Sequence, residues 1–445
     1  MTSATTNIKN LIDERPVSRY QWLVLFLCFF IVMLDGIDTA VMGFVAPALM
    51  HEWNVTRAAF GPVMSAAMFG LAVGALVAGP YADRVGRKTV LISSVFVFGL
   101  FSAACAFAQT PGQLMALRFL TGLGLGAAMP NSTTLLSEYI PTRVRSLLVT
   151  IMFTGFNLGS GCAGFLASFI IAHQGWRGVL FIGGLLPVLS VPLLLWLLPE
   201  SARFLVAQKR PAQRVAAVVN RVVGTRFAAD TVFTTPEPDT AGKAPVRVLF
   251  SDGYAFGTIM LWTTYFMGLL IIYLLTGWLP TLIKDAGFPI ERAASITAMF
   301  QIGGTVGAIL VGFAMDRFDR NRVIAFAYLM GGVFIFALGA GTLNSSWLPV
   351  LVTISGFFMS GAQTGLNALA PTCYPTRARA TGVSWMLGMG RCGGILGSLM
   401  GGVLLSMGFQ FSVVFSILAV PAVLAAVAIV MNRFAARFVT YKVNF

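Results

Sequence analysis

Val179 to Leu198 reads VLFIGGLLPVLSVPLLLWLL, twenty consecutive residues without a charge. In a helix, such a run rises about 30 Å, the thickness of a bilayer's hydrocarbon core, whereas a helix of a water-soluble domain needs only one apolar face. The stretch predicts a membrane-spanning helix, and the rest of the chain agrees. Of 445 residues, 57% are hydrophobic and 10% charged, with a mean hydropathy of +0.83, which excludes an ordinary soluble protein. Runs such as 91–107 and 179–198 are continuously apolar rather than alternating, which excludes an outer-membrane barrel.

Outward from that run, apolar segments fall at 22–45, 60–80, 89–108, 113–136, 146–172 and 177–198, then at 254–280, 292–314, 323–343, 347–370, 381–406 and 411–432. The expected fold is an all-α polytopic membrane protein of twelve transmembrane helices in two pseudo-symmetric six-helix bundles. The bundles are 1–198 and 254–445, the second ending in a cytoplasmic tail, and a polar cytoplasmic connector, 199–253, with room for one short helix, joins them. The polar start, 1–20, leads into an apolar run too long for a cleavable signal, so the first helix is expected to be retained.

The net charge of +14 does not point to nucleic acid, because the basic residues sit in short loops. With a cytoplasmic amino terminus, 24 of the 30 lysines and arginines fall on the inside, and the outside loops hold only Arg57, Arg177, Lys284 and Arg292. Basic loops resist translocation, so both termini are expected in the cytoplasm. Trp22, Trp278 and Trp347, near span ends, read as interfacial belt residues. Cys28, Cys105, Cys162, Cys373 and Cys392 lack metal-ligand spacing and read as packing residues, so neither metal nor cofactor is expected.

A repeat underlies the two sets. Gly79-Pro80-Tyr81-Ala82-Asp83-Arg84 follows the second span, and Gly312-Phe313-Ala314-Met315-Asp316-Arg317 follows the eighth, 233 residues later. Pro141-Thr142-Arg143-Val144-Arg145 follows the fourth, and Pro375-Thr376-Arg377-Ala378-Arg379 the tenth, displaced by 234. Six spans per copy make the copies parallel, with a seam between them and a solute site expected near the midplane.

Gly79 to Lys88 resembles the loop signature between helices two and three of the major facilitator superfamily, and Pro199-Glu200-Ser201-Ala202-Arg203 resembles its signature after helix six. Asp35-Gly36-Ile37-Asp38 is similar to the Asp-Gly-x-Asp motif of that superfamily's aromatic acid and proton symporters. The resemblance implies a transporter importing benzoate-type anions with protons across a bacterial inner membrane, and it implies that both aspartates are needed. Gly155 to Gly164 lacks the Gly-Pro pair of the superfamily's drug antiporters, which argues against efflux.

Four charges lie well inside predicted spans: Asp35, Asp38, Arg118 and Arg391. Each costs about 2.5 to 3.5 kcal/mol to insert, so all four are expected at the seam. Asp35 and Asp38 share a helical face, and two neighbouring desolvated carboxylates resist joint ionisation, which suits proton coupling; the pattern leaves open which of them titrates. Arg391, in a glycine-rich stretch, is the first choice for the substrate carboxylate, which it can grip with two hydrogen bonds. Arg118 opens a segment resembling the superfamily's helix-four motif and is a second candidate, either for substrate or for pairing with the helix-one acids. Asn157, Tyr265, Gln301, Asn367 and Trp385 are in-span candidates to complete an aromatic-acid pocket.

Asp83, Arg84 and Arg87 lie too close to the surface to bind solute and are expected to gate. Arg87 can pair with Glu138, and Asp316 and Arg317 form a weaker second latch. Proteoliposome uptake separates the expected 4-hydroxybenzoate, protocatechuate or gallate importer, working as a monomer, from an organic-acid transporter or exporter of the same fold and from a non-transporting sensor. An enzyme is not expected: His51 and His173 fall in outside loops, and no nucleophile with a base or phosphate loop is present.

Overall fold

The computed structural model describes residues 6–208, 210–223, 227, 231, 233–234, 249–250, 254–340, 346–374, 379–409 and 411–443. The side chains of residues 6, 79, 80, 83, 146, 207, 379 and 380 and those from residue 434 onward are outside the described set. The fold is all-α. Helix α1 is Arg19–Trp53, α2 Arg57–Val85, α3 Arg87–Ala104 and α4 Pro111–Tyr139. A single helical stretch, Arg145–Leu197, breaks at Gly175 (φ 66°, ψ −169°), where only glycine is comfortable, giving α5 (145–174) and α6 (176–197). The second half contains α7 Tyr254–Asp285, α8 Ile290–Arg317, α9 Arg320–Ala340, α10 Leu348–Leu369, α11 Arg379–Ser406 and α12 Phe411–Val443. Among the described residues, nine stretches are long and apolar enough to span a membrane, one of them long enough for two spans. The less apolar α4 and α10 complete twelve.

Local chemistry starts these helices where the apolar runs begin. Ser18 and Gln21 form a reciprocal capping box on α1, and Thr56 and Thr110 cap α2 and α4. Asn54 ends α1 in the left-handed region at φ 49°.

The duplication is visible in packing. Helix α1 lies on α5 as α7 lies on α11, α2 on α4 as α8 on α10, and α3 on α6 as α9 on α12. The halves meet where α1 touches α7, α2 touches α11 and α5 touches α8. With an even number of spans per half, both termini and the connector share one end of the bundle, called here the near end.

Contacts across the seam concentrate at the opposite, far end. Gly43 of α1 abuts the Thr276 carbonyl of α7, Gly402 of α11 abuts the Arg57 carbonyl, and Gly164 of α5 packs on Ala298 of α8. Arg57 Nη2 and Asp285 Oδ2 pair at 2.6 Å between α2 and α7. Trp278 corrects one expectation. It is fully buried, donates from Nε1 to the Ser398 carbonyl at 2.8 Å and packs on Gly401, so it joins α7 to α11 rather than standing at an interface. Trp22 and Trp347 are exposed.

At the near end, the chain start is strapped to the connector. Thr6–Asn7 pairs in parallel with Phe233–Thr234, and Ile8 and Ile12 of the short helix Ile8–Asp13 are buried beside the connector helix Ala212–Val223. Ser18 Oγ donates to the Val222 carbonyl at 2.6 Å, and Arg15 Nη1 to that of Val223 at 3.3 Å. Asp13 Oδ1 accepts from the Thr142 amide at 2.7 Å, and Arg143 Nη2 donates to the Arg15 carbonyl at 2.8 Å. A further helix, Ala202–Ala207, precedes Ala212–Val223, so the described connector holds two helices where one was expected.

Candidate functional site

Helix α1 carries both aspartates into the bundle because Gly36, between them, has no Cβ: one there would overlap the Phe156 carbonyl of α5. Ser160 Oγ of α5 donates to the Gly36 carbonyl at 2.9 Å and fixes this approach. Asp35 and Asp38 are each only 1% exposed, yet they have different partners.

Asp38 is held by Arg118 of α4, itself 1% exposed. Arg118 Nη1 donates to Asp38 Oδ1 at 3.2 Å, while Nη2 stands 3.1 Å from Oδ2 and directs its hydrogen to the Asp38 carbonyl at 3.4 Å. This is a closed ion pair inside the first half. Asp35 has no such partner: its Oδ1 accepts from Thr39 Oγ1 at 3.3 Å, and its Oδ2 is buried without a hydrogen bond among the described residues.

Arg391 projects from α11 of the other half, half-buried, with no hydrogen bond or ion pair among the described residues. Asp35, Tyr265 and Tyr273 lie within its electrostatic reach. The two tyrosines, from α7, flank it because α11 is stripped of side chains beside them. A Cβ on Gly390 would overlap the Tyr265 ring, and one on Gly394 would crowd that of Tyr273. The structure thus brings to the seam a carboxylate of one half and a guanidinium of the other that lack an ion-pair partner among the described residues, framed by aromatic rings.

The remaining candidates scatter around this centre. Tyr265 donates to Asn367 Oδ1 at 3.0 Å. Gln301 of α8 is buried and donates to Thr276 Oγ1 of α7 at 3.1 Å. Asn157 is half-buried on α5, next to the Phe156 that Gly36 touches. Trp385 is 46% exposed and stacks on Trp262 with centroids 5.8 Å apart, two turns nearer the start of α11 than Arg391. Tyr273, Tyr328 and Gln363 are polar groups within spans that sequence reading passed over; the available signal was their hydrogen-bonding tips in otherwise apolar helices.

The surface candidates form a compact cluster at the near end. Arg87 Nε donates to Glu138 Oε1 at 3.0 Å, and Ser201 Oγ donates to Glu138 Oε2. Glu200 sits at the start of α3, where its Oε1 accepts from the Arg87 and Lys88 amides at 2.9 and 3.2 Å, a carboxylate on the positive end of a helix. Tyr139 donates its hydroxyl to the Glu200 carbonyl. Arg84 is exposed, and the side chain of Asp83 lies outside the described residues. Asp316 and Arg317 are exposed, and the ion pair of this second copy runs instead from Asp319 Oδ2 to Arg433 Nε of α12 at 3.0 Å. None of these pairs bridges the two halves; Glu200 and Ser201 tie the connector to the first.

Comparison with known proteins adds the lineage. The model of the Major Facilitator Superfamily matches residues 28–329 and 289–441. A gallate transporter of Pseudomonas putida is 62% identical over 96% of this chain and 95% of its own length, and a 4-hydroxybenzoate transporter, PcaK, of Pseudomonas aeruginosa is 51% identical over the same shares. Among solved structures, an inward open form of the xylose transporter XylE from E. coli superposes with a TM-score of 0.71 at 17% identity, covering 92% of this chain and 95% of that one. A bacterial homologue of the lysosomal transporter Spinster gives 0.64 at 18% identity, covering 95% and 97%. By family model, relatives and fold together, the chain belongs to the Major Facilitator Superfamily of membrane transporters.

Proposed function

We propose that this protein is a proton-coupled symporter that imports a hydroxylated benzoate, of the 4-hydroxybenzoate, protocatechuate or gallate type, across a bacterial inner membrane by alternating access. The observation that carries the reading is the Arg391 guanidinium at the seam, which makes no hydrogen bond or ion pair among the described residues and feels the Asp35 carboxylate only through its charge. An arginine unpaired in a membrane interior costs about 2.5 to 3.5 kcal/mol on insertion scales, a cost met when an anionic substrate arrives. Asp38 already has Arg118, so Asp35 is the acid left to take up and release a proton. The names of the relatives, gallate and 4-hydroxybenzoate transporters, support an aromatic carboxylate as the anion.

The near end is assigned to the cytoplasm on the strength of its lysines and arginines. With cross-seam contacts concentrated at the far end, the conformation described is closed toward the outside. Residues 1–198 and 254–445 rock about the site, the 199–253 connector joins them, and the Arg87–Glu138–Glu200 cluster, intact in this outside-closed form and confined to one side of the seam, braces the first half at the cytoplasmic mouth rather than latching it to the second. Substrate and one proton enter together with no net charge moved, so a one-to-one cycle draws on the pH gradient rather than on voltage.

The test is uptake of labelled 4-hydroxybenzoate and gallate by proteoliposomes with the purified protein. Accumulation that appears with an acidic exterior and vanishes with a protonophore is expected. Equal accumulation without a pH gradient would remove proton coupling, and absence of uptake under every gradient would turn the reading toward a sensor.

A further inference from the structure

Beyond Arg391, the second half holds a line of polar side chains that has no part in gripping a carboxylate. Tyr328 of α9 is fully buried and donates its hydroxyl to Gln363 Oε1 of α10 at 2.7 Å. Gln363 is also buried; its Nε2 has no aligned acceptor among the described residues, although the Tyr265 hydroxyl lies in its hydrogen-bonding reach. Tyr265 in turn donates to Asn367 Oδ1 at 3.0 Å. Gly268 makes the line possible, since a Cβ there would overlap both Gln363 Oε1 and the Tyr328 hydroxyl.

The line has a direction. Tyr328 gives its proton to the Gln363 carbonyl, which turns the Gln363 amide hydrogens toward the Tyr265 side without an aligned bond to it, and Tyr265 gives its own proton to Asn367. Asn367 stands at the half-exposed end, and among the described residues its amide hydrogens and one lone pair of Oδ1 have no partner. A donor beside an acceptor matches a phenolic hydroxyl, which gives one hydrogen bond and takes another; a carboxylate, all acceptor, is repelled by Oδ1. The Tyr265 ring passes Gly390, the neighbour of Arg391, and its hydroxyl reaches Asn367. Arg391 and Asn367 thus both border the Tyr265 side chain, one electrostatically and the other through its hydroxyl.

We infer that Asn367 binds the ring hydroxyl of a hydroxybenzoate whose carboxylate lies on Arg391, and that Gln363 and Tyr328 are positioning residues that hold the Asn367 amide in the receptive orientation. The inference rests on the reading of Arg391 as the carboxylate anchor. A site built to hydrogen-bond a hydroxyl penalises the analogue lacking it, so the line sets preference for hydroxylated rings over benzoate.

Equilibrium binding of benzoate, 4-hydroxybenzoate and gallate to the purified protein and to Asn367→Leu, Gln363→Met and Tyr328→Phe tests this. The unaltered protein is expected to bind the hydroxylated acids more tightly, and each variant is expected to cut the ratio of gallate to benzoate affinity by about tenfold, the value of one good hydrogen bond. A merely structural role weakens all three ligands alike; an unmoved ratio in Tyr328→Phe, which loses a single oxygen, overturns the inference. Failure of the unaltered protein to bind any aromatic acid removes the functional reading first, and the inference with it.

Discussion

At the residue scale, the two aspartates of α1 are alike in sequence and burial but differ in company. Asp38→Asn strands the buried Arg118 without a countercharge and should cost about 3 to 5 kcal/mol of stability, seen as early thermal unfolding in detergent. Asp35→Asn keeps an acceptor for its one partner, Thr39, and should fold normally while losing proton-driven accumulation. Equal stability losses in the two variants would contradict this division. Arg391→Lys keeps the charge but loses the two-pronged grip and should weaken carboxylate binding about tenfold by equilibrium dialysis; unchanged affinity would move the anchor elsewhere. That charges inside spans belong at the seam was legible from their cost in lipid. Which aspartate Arg118 would choose was not, because the choice depends on how α1 and α4 are rotated against each other, and Tyr328 and Gln363 carry no charge to announce them.

At the element scale, helix ends at the near end are secured by side chains from far along the chain. Glu200 caps α3 across more than a hundred residues, and Glu200→Ala should cost about 1 kcal/mol by thermal unfolding, with Glu200→Gln between the two. Burial pushes Asp319 upward, but the Arg322 amide and the Arg433 guanidinium outweigh it and hold its carboxyl below the ordinary value. A depressed acid stabilises above its unfolded pKa and loses that support as pH falls through the folded one. Asp319→Asn should therefore lower the melting temperature at pH 7 but not under strongly acidic conditions, by no more than about 1 kcal/mol for so exposed a pair. Hydropathy located all twelve helices to within about five residues at each end, except that α1 runs eight and α12 eleven residues past the apolar segment. It misjudged Trp278, whose position near a span end suggested an interface, because the clearing at Gly401 that receives the ring exists only once α7 and α11 are packed.

At the scale of the whole molecule, the far-end seam closes, among the described residues, through close glycine contacts and one ion pair. Arg57 and Asp285 are 40% and 35% exposed, so their attraction is worth at most about 1 kcal/mol. Arg57→Gln should thus shift the balance toward a form open at the far end by no more than about fivefold, and exchanging the two charges should restore it. Distances between spin labels on the far ends of α2 and α7 would report the shift; a far end that stays closed in every variant would assign closure to the glycine contacts alone. The duplication announced itself in the displaced loop motifs, but which end of the seam was shut could not be read from residues whose pairings form between halves.

The strap at the chain's beginning has a practical corollary. Because residues 6–18 tie the Ala212–Val223 helix to the turn after α4, a fluorophore on that helix travels with the first six spans. Paired with a second dye on α9, it would turn each transport cycle into a readable change in energy transfer, with neither dye touching the permeation route.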